Sequence, residues 1–118
     1  MLQNFEKLPI YKDSKVLANM ILSLTKIFPK EEKYGLSSQI RRAAISVPLN
    51  IAEGQGRKTR KDHRQFLLIA RGSLYEVIAI LGICLDQKII NKEMNQNIRK
   101  QIENVLKQLN GMVRYLER

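Results

Sequence analysis

The chain has 118 residues, 44% of them apolar and 27% charged, a globular composition long enough to bury roughly two thirds of its unfolded surface in one domain. Lysine and arginine number 21 against 11 acidic residues, and the resulting +10 repels itself within a small fold while favouring anionic partners such as nucleic acid or acidic lipid. A single cysteine, Cys84, and a single histidine, His63, exclude an intramolecular disulfide and a zinc-ligand set, and three prolines with six glycines are too few for a many-turned all-β fold.

From Met1 to Lys15 there is no long apolar stretch of signal-peptide type. The first helix is expected over about residues 9–28, with Pro9 in its first turn and Leu17, Met20, Ile21, Leu24, Ile27 and Phe28 at steps of three and four before Pro29 stops it. Lys30 to Gly35 reads as a short connection with room for one helical turn. The second helix, about 36–53, places Leu36, Ile40, Ala43, Val47 and Ile51 on one face; Pro48 inside it predicts a kink rather than an end. The run Gly54-Gln55-Gly56 then breaks the helix.

Thr59, with Asp62 three residues later, reads as the N-cap of a third helix over about 60–86. Its seam is Phe66, Ala70, Ser73, Val77, Ile80 and Cys84, and a second stripe of Leu67, Leu74, Ile78, Leu81 and Leu85 lies beside it. Two stripes are more than an ordinary surface helix hides, so Leu67, Leu74 and Leu81 or their neighbours are expected to help form contacts between subunits. The longest uncharged apolar run, Val77 to Leu85, is nine residues where a membrane helix needs about 20. Asn91 caps a fourth helix over about 92–116, whose Ile98, Ile102, Val105, Leu109, Met112 and Leu116 follow a heptad seam. The sum is an all-α, antiparallel, up-down-up-down four-helix bundle in one domain, without cofactor or membrane, expected in the cytoplasm.

Charge is unevenly spread. Residues 1–40 carry net +2, residues 41–75 net +6 and residues 76–118 net +2. The concentrated cations are Arg41, Arg42, Arg57, Lys58, Arg60, Lys61, Arg64 and Arg71. On a helix, Arg60, Lys61, Arg64 and Arg71 share an arc of about 100°, and Tyr75 ends the same arc, where it could stack on a base. Arginine forks match phosphate oxygens bidentately, so these eight residues are the candidate nucleic-acid site; the competing reading is a face that is merely solvated. Arg42 is equally open to an ion-pair role. Glu53 is placed to pair with Arg57, Asn50 to satisfy a backbone group freed by Pro48, and Gly72-Ser73 to allow close helix approach.

The stretch GLSSQIRRAAISVPLNIAEGQGR from Gly35 to Arg57, together with Phe28-Pro29, Glu32-Lys33-Tyr34-Gly35-Leu36 and the run from Phe66 to Glu76, resembles the bacterial four-helix-bundle family first noticed as products of 23S rRNA intervening sequences. The accessory variability proteins of diversity-generating retroelements look like members of the same family. The resemblance covers nearly the whole chain. It implies a barrel-like homopentamer with a basic surface and, for the retroelement branch, binding of nucleic acid (RNA or DNA) and a reverse transcriptase as a further partner.

Catalytic chemistry is sparse. His63 has no second histidine beside it and reads as an exposed first-turn residue; Glu53 and Asp62 are the only carboxylates near the cations, too few for a Mg²⁺ pair. Cys84 falls on the core seam as a structural thiol, and Gly54-Gln55-Gly56 follows a helix rather than the strand a phosphate-binding loop requires. The expectation is a non-enzymatic, basic, oligomeric nucleic-acid-binding accessory protein. The alternative is an interaction scaffold whose basic face meets an acidic protein, such as a reverse transcriptase or a ribosome-associated factor.

Overall fold

Four helices account for most of the chain in the computed structural model, which describes residues 4–32 and 35–118. Lys33 and Tyr34 of the quoted motif, and the first three residues of the N-terminal stretch, lie outside the described residues. Helix α1 runs Pro9–Leu24, α2 Leu36–Gln55, α3 Arg60–Asp86 and α4 Lys92–Leu116, and no strand occurs among the described residues. Each helix packs on its neighbours in chain order and α1 also meets α4, which closes an up-down-up-down bundle measuring 43 × 22 × 20 Å.

The expected caps are in place. Thr59 Oγ1 accepts from the amide of Asp62 at 3.1 Å, Asn91 Oδ1 accepts from the amide of Met94 at 2.8 Å, and Pro9 opens α1 where its missing N–H costs nothing. The first helix ends sooner than its apolar spacing predicts. After Leu24 the chain tightens into a 3₁₀ turn, Thr25–Ile27, and the larger rotation per residue swings Ile27 out to 53% exposure. Another 3₁₀ turn, Lys30–Glu32, supplies the helical turn anticipated in the connection.

Helix α2 continues through Pro48, which is itself buried. Proline there deprives the carbonyl of Ala44 of its usual donor. Asn50 does not replace that donor: its Nδ2 donates instead to the carbonyl of Ser46 at 2.8 Å and to Ser46 Oγ at 2.9 Å. Ser46 Oγ also lies 2.9 Å from Ser73 Oγ, so a small polar chain ties α2 to α3.

Helix α3 buries Ala70, Val77, Ile80 and Cys84 of its first stripe and Leu67, Leu74 and Leu81 of its second, while Phe66, Ser73, Ile78 and Leu85 are half-buried. Leu67, Leu74 and Leu81 are at most 1% exposed within the single chain, so they are core residues, and of the subunit contacts expected of them or their neighbours only the neighbours remain free to take part. In α4 the buried set is Ile98, Ile102, Val105, Leu109, Val113 and Leu116, with Val113 taking the place expected of Met112. A 3.6-residue helix drifts about 20° per heptad, enough to exchange Met112 for its neighbour Val113.

Helix α3 leaves by a Schellman turn. The amide of Ile89 reaches the carbonyl of Cys84 at 2.9 Å, the amide of Lys88 reaches that of Leu85 at 3.0 Å, and Lys88 holds φ at 61° where glycine is usual. That placement buries Ile90 in the core.

Candidate nucleic-acid interface

The antiparallel topology brings the C-terminal end of α2, the first turns of α3 and the last turns of α4 to one end of the bundle. Close approach at this end depends on Gly54. A Cβ there would stand 2.9 Å from His63 Cδ2, 3.2 Å from Phe66 Cβ and 3.3 Å from the His63 carbonyl oxygen. Gly54 therefore does what had been expected of Gly72, where a Cβ would meet nothing within 4 Å.

Six of the eight candidate cations lie on this side of the molecule. Arg57 and Lys58 occupy the turn between α2 and α3. Arg57 bonds Glu53 at 2.8 Å, the expected pair, and its guanidinium lies over the Phe66 ring, 4.4 Å from the centroid. Arg60 donates to the carbonyl of Tyr115 and lies 4.9 Å from the centre of the Tyr115 ring. Lys61 is exposed, Arg64 reaches Glu117 at 3.3 Å, and Arg71 is tied to Asn110 Oδ1 at 3.0 Å, about 10 Å further along α3.

Arg41 and Arg42 do not join them. Both are exposed on the N-terminal half of α2, about 20 Å along the helix from its end. Arg41 donates to Thr25 Oγ1 at 3.2 Å, next to the far end of α1. The eight cations are thus two groups, and Arg42 has no acidic partner among the described residues.

Two further cations were invisible to the charge count along the sequence. Arg114 and Arg118 arrive from α4, more than 50 residues away in the chain, and Arg118 lies 6.0 Å from the centroid of Tyr115. Tyr115 was missed with them; its ring is 53% exposed, as is that of Tyr75. Beside Tyr115 is a recess of about 310 Å³ walled by the start of α1 and the end of α4. A larger recess of about 610 Å³ lies between α1 and the first turns of α4; its walls are mostly apolar and no charged side chain lines it.

His63 is half-buried rather than exposed. The side-chain amide nitrogen of Gln55 lies 3.3 Å from its Nε2. Burial pushes its pKa below the usual histidine value. Cys84 is fully buried, and burial together with the Glu32 carboxylate raises its thiol pKa, away from nucleophilic use. Among the described residues no three His, Cys, Asp or Glu side chains come together as a metal site.

One outward face is apolar instead of charged. Between Gln65 and Leu85 the only charges on α3 are Arg71 and Glu76, so by length and composition alone α3 is apolar enough to cross a membrane, although its uncharged run from Val77 to Leu85 spans only nine residues. Only a third of its most apolar window is buried. Ile69 and Ile83 on α3 and Ile45 and Leu49 on α2 remain exposed, with Gly72 and Gly82 among them facing open space.

A family model described as 23S rRNA-intervening sequence protein matches residues 6–111. The fold is similar to that in a crystal structure of a protein of unknown function from the S23 ribosomal protein family of Bacteroides thetaiotaomicron, with 26% sequence identity and a TM-score of 0.82 over 88% of this chain and 97% of that one. No curated protein matches the sequence.

Proposed function

Because the chain belongs to the 23S rRNA-intervening sequence protein family, we propose that it works as a non-enzymatic, oligomeric nucleic-acid-binding accessory protein of the cytoplasm. The observation that carries the reading is the basic pole: Arg57, Lys58, Arg60, Lys61 and Arg64 from one part of the chain meet Arg114 and Arg118 from another. Three carboxylates temper the charge: Glu53 and Glu117, bonded to Arg57 and Arg64, and Asp62 in the first turn of α3. Backbone phosphates of RNA or DNA are the ligand, held without regard to sequence and released by salt.

Self-association fits the uncovered apolar face. Glycine in a helix interior costs about 1 kcal/mol against alanine. Nothing within the protomer uses Gly72 or Gly82 in exchange. A second copy lying against Ile69, Ile83, Ile45 and Leu49 would use both, and a ring of five would present five poles to one strand, adding avidity. Light scattering should give a pentamer, and Leu49→Glu with Ile83→Glu should shift it to monomer with helicity kept.

Binding is tested by fluorescence anisotropy on labelled RNA and DNA. Changing Arg57, Lys58, Arg60 and Lys61 to Gln should weaken binding at least about tenfold, whereas Lys92, Lys100 and Lys107 to Gln should change it little. Undiminished binding in the first set would move the site to Arg41 and Arg42 or hand the pole to an acidic protein partner such as a reverse transcriptase.

A further inference from the structure

We infer that the recess at the basic pole receives an unpaired nucleobase, so that single strands are the substrate class of this site. The inference rests on the phosphate-binding reading above and adds a contact that phosphates alone cannot supply.

Three features converge there. The recess, about 310 Å³, has Leu8, Pro9 and Ile10 at the start of α1 on one side and Gly111, Met112 and Tyr115 of α4 on the other, with the Gln108 amide at its edge. A shallow, open, mostly apolar recess with one polar group at its edge leaves room for one face of a flat ring that carries hydrogen-bonding atoms on its rim. Gly111 is the second feature: a Cβ there would meet no atom within 4 Å, so the protomer leaves space in the middle of a helix where glycine is otherwise disfavoured. The third is Tyr115, which forms part of the recess wall and also lies beneath Arg60 at 4.9 Å and Arg118 at 6.0 Å. A base stacked against this aromatic wall would leave its flanking phosphates beside two guanidinium groups.

Charge decides between occupants. The rim already holds Arg60 and Arg118, and a nucleotide brings the opposite sign to those two guanidinium groups. A duplex keeps its bases paired and stacked inside, so it can use the cations but not the recess.

The test compares three labelled probes by anisotropy: a single strand, the same sequence as a duplex, and an abasic strand of equal length. Gly111→Leu fills the recess with a better helix former, and Tyr115→Leu removes the aromatic wall. Each should lower single-strand affinity roughly 5- to 150-fold, the range for loss of one stacked base. Gly111→Leu, which touches none of the cations, should also leave duplex affinity within about twofold. Unmodified protein should bind the abasic strand about as weakly as the variants bind the normal one. Unchanged single-strand affinity in both variants, or equal losses on all three probes, overturns the inference while the charge-based function stands. A change of molar mass with Gly111→Leu in light scattering also overturns it, because the recess would then be a contact between copies. If no probe binds the unmodified protein, the inference and the proposed function fall together.

Discussion

Gly54→Ala should loosen the pole from within, by an amount that can be worked out from the contacts. The new methyl would come to 2.9 Å from His63 Cδ2, and the histidine ring can yield by a small rotation. The other two neighbours are stiffer: Phe66 Cβ at 3.2 Å and the His63 carbonyl oxygen at 3.3 Å belong to the frame of α3. Relieving them requires α2 and α3 to part by a few tenths of an ångström. Overpacking of this kind costs about 2 kcal/mol, and the better helix propensity of alanine returns about 1 kcal/mol. The net loss of about 1 kcal/mol corresponds to a fall in Tm of about 4 °C for a chain of this size. Gly111→Ala has the propensity gain without the clash and should raise Tm by about 4 °C. Thermal melts followed by circular dichroism measure both, and a Gly54→Ala protein as stable as Gly111→Ala would refute the close-approach argument.

Three other outcomes follow from single contacts. Lys88→Gly should stabilise the protein by about 1 kcal/mol in urea titration, because Lys88 holds a φ of 61°. Ser46→Ala should cost about 1 kcal/mol and Ser73→Ala less, because Ser46 Oγ keeps its bond from Asn50 Nδ2 when Ser73 is lost; the double change should cost less than the two singles combined. His63 has a lowered folded pKa, so the unfolded chain takes up its proton first as pH falls, and stability present above about pH 6.5 is lost below it. Between about pH 7.5 and about pH 5 the Tm of the unmodified protein should therefore fall further than that of His63→Gln.

The helices were legible because their signals are local. Thr59, Asn91 and Pro9 mark starts through groups that act within one turn, and the buried faces of α2 and α3 repeat at helical spacing. Lys88 escaped notice because nothing in a lysine advertises a left-handed backbone; only the Schellman bonds to Cys84 and Leu85 hold it there. The division between core and surface on α3 was misjudged for a related reason. Two adjacent apolar stripes exceed what one neighbour hides, but α3 lies between α2 and α4, and two neighbours bury both. The candidate site was half legible. A charge count along the chain finds Arg57 to Arg64 but groups them with Arg41 and Arg42, which the length of α2 carries away, and it misses Arg114, Tyr115 and Arg118, which only the antiparallel return of α4 brings close.

The salt dependence of binding tests the basic pole most directly. For a single strand, each phosphate contact contributes about −0.7 to the slope of log K against log salt. Removing Arg57, Lys58, Arg60 and Lys61 together should flatten that slope by about 2.8, while removing Lys92, Lys100 and Lys107 should leave it nearly unchanged. A flattening proportional to the number of charges removed, whichever set is chosen, would mean that net charge alone holds the nucleic acid and that the pole is not a site.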